Sequence, residues 1–296
     1  MKIGFAFTNY NNSHLSIQAA HSIAANHGDC EYEIVLVDNA SCDQERSILA
    51  APNVLPPRCT VLWNDCNVGY FEGLNMGIVA LQDYARDYDA IVIGNNDLVF
   101  ETGFFEGMKR RQETFTLHSV VSPDIITLDN EHQNPHVISG VSRFREIIWD
   151  LYFSSFQLSQ LIGWAARLMR ALVGRKDHHS YAREGPIYQG YGACYILTPR
   201  FFQLYGRLWS PGFVMGEEFY LARQLAANRE QMYYMPDIPV LHHDHATVAK
   251  LPSRSLWEMT SQYHRIYRFF VSPYRVKMDN GKTPSDYDCS VDKKNT

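Results

Sequence analysis

The chain has 296 residues, 46% hydrophobic and 20% charged, with a formal net charge of −5. That composition supports a sizeable core and excludes a chain disordered throughout. It also lacks the basic surplus of a nucleic-acid binder. A weakly acidic protein that holds a diphosphate needs a local cation to do so. The six cysteines, Cys30, Cys42, Cys59, Cys66, Cys194 and Cys289, form no CxxC pair. Free thiols in a reducing compartment are therefore expected, not a disulfide framework. Lys2 to Thr8 runs straight into a strand-like segment without a basic leader and cleavage site, so no signal peptide and a cytoplasmic location are expected.

The first hundred residues alternate strand and helix signals. Ile3 to Thr8 reads as a buried strand and Ser13 to Asn26 as a helix capped by Ser13. Glu33 to Val37 and Thr60 to Trp63 read as strands, Gly73 to Asp87 as a helix, and Ala90 to Gly94 as a fourth strand. This βαβαβαβ order predicts an α/β, doubly wound, mostly parallel sheet. Ligands of such sheets bind beyond the carboxyl ends of the strands. Polar residues gather there: Thr8-Asn9, Asp38-Asn39 and Asn95-Asn96-Asp97.

The second half is less regular. Val120 to Gly140 reads as strands and loops, Arg145 to Val173 as one amphipathic helix, and Asp177 to Gln189 as a loop. Ala193 to Leu197 is a predicted strand. Predicted helices follow over Pro199 to Gly206, Gly216 to Asn228 and Ser253 to Phe270. Within Leu151 to Gly174, Gln157, Gln160, Arg167 and Arg170 interrupt the apolar run that a spanning helix needs. Two expectations remain for it: packing against the core, or peripheral contact with a membrane surface, which would be the inner face for a cytoplasmic protein. No linker separates two domains, so one domain is expected over residues 1–274, with a polar, flexible tail at 275–296.

Several residues have the chemistry of a site. The turn after the first strand, Thr8-Asn9-Tyr10-Asn11-Asn12, carries no GxGxxG, and no Walker loop occurs either. Phosphates would then have to be held through a metal. Asp97, at the end of an apolar strand, is the candidate ligand for Mg²⁺ or Mn²⁺, although a polar turn accounts for Asn95-Asn96-Asp97 equally well. Glu217 and Glu218 open a helix. The helix dipole explains them, and so does a general base whose proton affinity an adjacent like charge raises. His242-His243-Asp244-His245 is dense for a loop, but neighbours on a strand alternate sides, so one histidine sharing a metal is the economical reading.

These stretches also carry a resemblance. Val37-Asp38-Asn39-Ala40-Ser41 with Asp43 looks like a VDNxSxD stretch that reads a nucleoside. Asn67-Val68-Gly69 through Gly73, Asn75 and Gly77 looks like NxGxxxGxNxG, and Ile93 to Asp97 like a DxD-type metal motif in an NND variant. Gly192-Ala193-Cys194 resembles the strand before the acceptor side. Gly216-Glu217-Glu218, with Leu221 and Arg223, resembles a base motif. His242, with His245 and Thr247, resembles a metal-histidine motif. In this order, over about Lys2 to Phe270, the chain resembles the family 2 glycosyltransferases of bacterial polysaccharide and lipopolysaccharide synthesis, in their rhamnosyltransferase-like branch. It departs from their pattern at Asn95, which replaces a first Asp, at Glu218 and Tyr220, where Asp is commoner, and at His245, which replaces a glycine.

The resemblance implies a GT-A, Rossmann-like fold with helical C-terminal additions, residues 1–98 forming a nucleotide-binding half and 99–274 an acceptor-binding half. It implies Glu218, or its neighbour Glu217, as catalytic base, and Asp97 and His242 as metal ligands. Thr8, Asn9, Asp38, Asn39, Asn67, Gly69, Asn75 and Asn96 fall on the donor side. The activity implied is inverting transfer of a sugar from a UDP- or dTDP-sugar to a glycan or lipid-linked glycan. Trp149, Trp164, Tyr188 and Tyr191 have faces that suit an acceptor sugar, with core packing the alternative for each, and Arg265 and Arg268 either meet an anionic lipid diphosphate or form a solvated face. Two rivals are a non-catalytic nucleotide- or glycan-binding homologue and a sugar-phosphate nucleotidyltransferase. The second usually has a glycine-rich loop after its first strand.

Overall fold

The computed structural model describes residues 1–84, 87–138, 140, 142–172, 181–211, 216–243 and 253–272. The expected tail at 275–296, and Asp244, His245 and Thr247, lie outside the described residues. The first half runs β1 (Lys2–Asn9), α1 (Ser13–Asn26), β2 (Glu31–Asp38), α2 (Asp43–Leu49), β3 (Cys59–Trp63), α3 (Tyr70–Tyr84) and β4 (Ala90–Asn95). The rest runs β5 (Leu98–Val99), α4 (Thr102–Arg111), a 3₁₀ turn at Gln112–Leu117, β6 (Val120–Thr127), α5 (Arg143–Tyr152) and α6 (Phe156–Leu172). It continues through β7 (Gly185–Ile187), β8 (Cys194–Leu197), α7 (Pro199–Leu204), α8 (Glu217–Ala227), β9 (Met232–His242) and α9 (Ser253–Phe270).

Among the described residues the strands form one sheet in the order β3-β2-β1-β4-β8-β6-β9-β5, with β7 also on β9. The four strands β3, β2, β1 and β4 are parallel, which follows from the helices that connect them. β8 enters antiparallel between β4 and β6, and β6 and β9 are again parallel. The mostly parallel α/β fold matches the expectation. Period-2 alternation on β1 sends Ile3, Phe5 and Phe7 to one face and Ala6 to the other, so both faces are buried. α1 and α4 cover the first face, where Phe5, Phe100 and Phe104 pack edge to face at 4.9–5.3 Å in two of their contacts. α3, α7 and α8 cover the second.

Several expected boundaries are corrected. Ser13 is not a cap but the first residue of α1. Its amide and hydroxyl donate to the side chain and carbonyl of Glu45, tying α1 to α2. α3 begins at Tyr70, not Gly73. The single helix expected over Arg145 to Val173 is two, because the chain turns at Phe153–Ser155 and Ser155 Oγ accepts from the Leu158 amide to start α6 afresh. The loop expected over Asp177 to Gln189 contains β7, whose Ile187 pairs with Met232.

α3 lies unusually close to the sheet. A Cβ on Gly77 would sit 2.9 Å from Ala6 Cβ on β1 and 3.2 Å from a Val37 methyl on β2. Glycine in mid-helix costs roughly 0.5–1 kcal/mol relative to alanine, and here the close approach offsets that cost. Gly77→Val should therefore destabilise the protein by about 1–3 kcal/mol through overpacking, in spite of any gain in helix propensity. Urea unfolding followed by circular dichroism measures it; a midpoint at or above that of the parent would mean that α3 does not need this approach.

Candidate active site

The carboxyl ends of β1, β2 and β4 carry a buried polar network. Asn9 Nδ2 donates to Asp38 Oδ1 at 2.9 Å and to Ser41 Oγ at 3.1 Å. Asp38 Oδ2 accepts from the Ser41 amide and from Arg46 Nε, at 3.1 and 2.9 Å. Ser16 Oγ donates to Asn9 Oδ1. Asn96 Nδ2 reaches Ser16 Oγ at 2.8 Å and also approaches Asn9 Oδ1 and the Asn12 carbonyl. Asn9 and Asp38 are wholly buried. A carboxylate withdrawn from water persists only with such donors around it. Asp38, Asn9 and Asn96 thus hold three strand ends in register and shape the rim of the crevice.

The second group of expected donor residues clusters where α3 begins. Asn39 Nδ2 donates to the Gly69 carbonyl, Asn64 Nδ2 donates to Asn39 Oδ1, and Asn67 Oδ1 accepts from the Gly69 amide. Thr8 Cγ2 lies 2.7 Å from where a Cβ on Gly73 would be, so α3 starts directly over the end of β1. Asn75 stands apart: its amide group donates to the Leu208 carbonyl and accepts from the Leu208 amide, both at 2.9 Å. It pins the segment after α7 to α3.

Asp97 and His242, 145 positions apart in the chain, meet. Leu98 on β5 pairs antiparallel with His242 on β9, and the His243 amide donates to the Asp97 carbonyl at 3.0 Å. This pairing sets His242 Nε2 3.2 Å from Asp97 Oδ1, with the residues 2% and 8% exposed. On the far side of the ring, Nδ1 lies 2.8 Å from Gln133 Oε1. That oxygen accepts when Nδ1 carries the ring proton, and Nε2 then presents its lone pair beside the carboxylate. A second ring proton would make the contact an ion pair; without it, one imidazole nitrogen and one carboxylate oxygen face a common point. That donor set, with Gln133 orienting the ring from behind, suits a divalent cation. No cluster of three or more His, Cys, Asp or Glu ligands occurs among the described residues, so a cation there would draw its remaining ligands from a substrate or water.

The segment Gln189–Cys194 joins this pair to the carboxylates of α8. The Tyr191 ring lies 6.1 Å from that of His242, and Asn134 Oδ1 accepts from the Tyr191 amide. The next residue, Gly192, abuts Glu218: a Cβ there would fall 2.6 Å from Glu218 Oε1. Tyr70, the first residue of α3, donates its hydroxyl to the Gly192 carbonyl at 3.1 Å. Burial raises the Tyr70 phenol well above its usual range, and the negative charges of Glu217, Asp97 and Glu218 push the same way. One phenol thus senses all three carboxylates.

Glu217 and Glu218 open α8 behind Gly216, whose φ of +82° favours glycine. Burial raises the Glu218 carboxyl above the ordinary glutamate range, while backbone N–H donors, its own and that of Gly192, pull the other way. Glu217 is 7% exposed. Glu218 instead lines a cavity of about 360 Å³ whose walls include Trp149, Phe153, Tyr263, His264 and Tyr267. Trp149 was expected on an acceptor surface and lies here. Trp164 does not: it is 62% exposed on α6. Tyr191 stands beside His242, and Tyr188 beside Arg223, whose guanidinium burial disfavours. Arg268 Nε is 3.5 Å from Asp150, and Arg265 is exposed.

Sequence reasoning missed Tyr70, Gln133, Tyr263 and Tyr267. Tyr70 had a signal, since it follows the positive-φ glycine Gly69 at the start of a helix. Gln133 had none. The described cysteines, Cys30, Cys42, Cys59, Cys66 and Cys194, are free, and Cys289 lies outside the described residues.

Residues 6–164, more than half of the chain, match the family described as Glycosyl transferase family 2. Among solved structures the fold is similar to that of GalNAc-T7, crystallised with UDP, GalNAc and Mn²⁺, with a TM-score of 0.50 at 12% identity over 82% of this chain and 44% of that one. It is also similar to S. aureus TarS 1-349, with a TM-score of 0.48 at 15% identity over 82% of this chain and 60% of that one. The chain therefore spans less than two thirds of each of these proteins. No curated protein matches the chain. The chain belongs to glycosyl transferase family 2.

Proposed function

We propose that this protein is an inverting, metal-dependent glycosyltransferase that moves a sugar from a UDP- or dTDP-sugar to a hydroxyl of a glycan or lipid-linked glycan. What supports the reading is the contact of Asp97 with His242, together with the hydrogen bond from Tyr70 to Gly192, which abuts Glu218. We assign residues 1–98 to the donor and 99–274 to the acceptor.

Asp97 and His242 would hold a Mg²⁺ or Mn²⁺ ion, which supplies positive charge to the leaving diphosphate. Thr8, Asn9, Asp38, Asn39, Asn67, Gly69 and Asn96 form the rim against which the nucleoside is oriented, and Asn75 supports that rim from behind. Glu218, not Glu217, is the base in this reading, because it opens into the aromatic cavity while Glu217 is buried beside it. Its carboxylate takes the proton of the acceptor hydroxyl. That oxygen bonds to the anomeric carbon from the face opposite the leaving group, and the bond from that carbon to the diphosphate oxygen breaks with its electron pair leaving on the diphosphate. The configuration inverts. Aromatic walls suit the C–H faces of a sugar, and burial in a largely apolar cavity strengthens a base at neutral pH.

Glu218→Gln should leave nucleotide binding intact and lower kcat by roughly 10²–10⁴-fold. Calorimetry and a product assay read the two effects separately, and normal turnover would pass the role to Glu217. The raised proton affinity of Glu218 adds a pH test. The acid limb of kcat/KM should lie above the value of an ordinary glutamate, about 4.3.

Stability carries the same sign. The folded state holds this proton more tightly than the unfolded chain does. The group therefore stabilises the fold below the unfolded pKa, and that contribution is lost as pH rises through the folded one. Glu218→Gln should consequently raise Tm at pH 8 relative to the parent and give no such gain at pH 4. Equal effects at both values would remove the buried-carboxylate argument.

UDP or dTDP binding should weaken when Mn²⁺ is withheld, and Asp97→Ala should abolish the difference. Full activity in excess EDTA would overturn the metal role.

A further inference from the structure

α5 is turned inside out for a helix that packs on a protein core. Its two acids face inward. Glu146 is 4% exposed and accepts from the Tyr267 and Ser272 hydroxyls, at 2.7 and 2.8 Å, and Asp150 lies 2.9 Å from His264 Nε2. Trp149 packs edge to face on Tyr267 and Phe153 stacks on His264. Its apolar residues Phe144, Ile147 and Leu151 point outward and are 72%, 49% and 50% exposed. These fall at helical spacing, so they form one stripe. α6 continues the surface with Leu161 and Trp164, 60% and 62% exposed, while Phe156 turns in against Trp257.

The charges on this surface have one sign. Arg143 and Arg145 are exposed on α5, and both acids of that helix face inward to partners. On the described outer face of α5 the cations are thus Arg143 and Arg145, with Glu146 and Asp150 turned inward, within a chain of net charge −5. A two-fold contact between copies would set these cations against one another with no outward acid to offset them. An anionic lipid surface meets both features: it takes an apolar stripe at the acyl boundary and attracts guanidinium groups to its headgroups. Among the described residues no helix is long and apolar enough to cross a membrane, so the contact is one of lying on the surface.

We propose that the outer face of α5 and α6 docks on an anionic lipid bilayer. The inner face of α5 supplies Trp149 and Phe153 to the cavity that holds Glu218. The same helix therefore separates lipid from cavity, and a lipid-linked acceptor would arrive from the side on which α5 lies. This last step rests on the transferase reading; the docking itself does not.

Co-sedimentation of the full chain with vesicles, without nucleotide, tests it. Binding should appear with phosphatidylcholine vesicles containing phosphatidylglycerol, be weak with phosphatidylcholine alone, and fall when salt screens the headgroups. Replacing Phe144, Ile147 and Leu161 by serine should weaken partition about tenfold or more for each side chain, since each buries apolar surface. Arg143→Glu should weaken only the anionic component. Val79→Ser, at a residue 55% exposed on α3, should change nothing, and circular dichroism checks that each variant folds. Equal binding to neutral and anionic vesicles, no binding, or a triple-serine variant that binds like the parent would each overturn the proposal. So would a concentration-dependent dimer in analytical ultracentrifugation that the triple substitution abolishes, because the occupant would then be a second copy. If Glu218→Gln transfers sugar normally while vesicle binding behaves as described, the assignment of the base fails and the docking stands.

Discussion

The site depends on the stretch Gly192–Ala193, which three elements hold and where the Glu218 side chain takes the space of a Cβ. On one side Glu218 Oε1 occupies the space where a Cβ would be; on another, the Tyr70 hydroxyl holds the carbonyl. The Asn95 amide bonds to the carbonyl of the following residue, Ala193, at 2.9 Å. One stretch of backbone is thereby fixed to the end of β4, to the start of α3 and to the first turn of α8. Residues from three of the four quarters of the chain become neighbours through it. Close packing makes such a contact unforgiving: a displaced Gly192 cannot move without moving Glu218.

The polar residues of the crevice divide by their surroundings. Around Asp38 every donor needed by a buried carboxylate is present, including a guanidinium from α2 that also lies 5.5 Å from the Trp63 ring. That network is complete without a ligand, and its physical role is to keep β1, β2 and β4 in register. The pair of Asp97 and His242 differs. His242 Nδ1 meets Gln133 Oε1, and across the ring Nε2 lies 3.2 Å from Asp97 Oδ1, both residues being buried; with the proton on Nδ1, two acceptors face each other there. Two acceptors so placed gain from positive charge between or beside them, whether a proton or a metal ion supplies it.

The strand-and-helix alternation of the first hundred residues was legible because buried parallel strands are near-continuous apolar runs bounded by polar residues, as in Ile34 to Asp38 and Ala90 to Asn95. α2 and α4 were not. α2 has seven residues and one buried apolar side chain, and the short α4 ends in Lys109-Arg110-Arg111. Most of β9 was also hidden, since Pro236 and Pro239 argue against a central strand. The sheet accommodates them by a register shift, with Pro123 opposite Met235 and Asp124 opposite Pro239. Asp97, Glu218 and His242 were legible as residue types at strand and helix ends. The contact of Asp97 with His242 depends on the pairing of the two-residue strand β5 with β9, which no local pattern encodes. Asn75 shows the opposite limit. It reads as part of a donor motif, yet both polar atoms of its side chain are bound to Leu208.

The break at Phe153–Ser155 links fold to function more directly than the helix boundaries suggest. A single straight helix over residues 145–173 would have carried its apolar stripe along one line. Ending α5 and recapping α6 at Ser155 lets Phe153 turn inward onto His264 and lets Tyr152 offer its carbonyl to Trp257 Nε1 at 3.2 Å. Both contacts anchor the end of α5 to α9, and α9 in turn places Tyr263 against Gly216, whose missing Cβ leaves space for its ring. Gly216 starts the helix that carries Glu218. Packed aromatic rings, Trp149 on Phe219 and Phe219 on Tyr263, thus join the inner face of α5 to the first turn of α8.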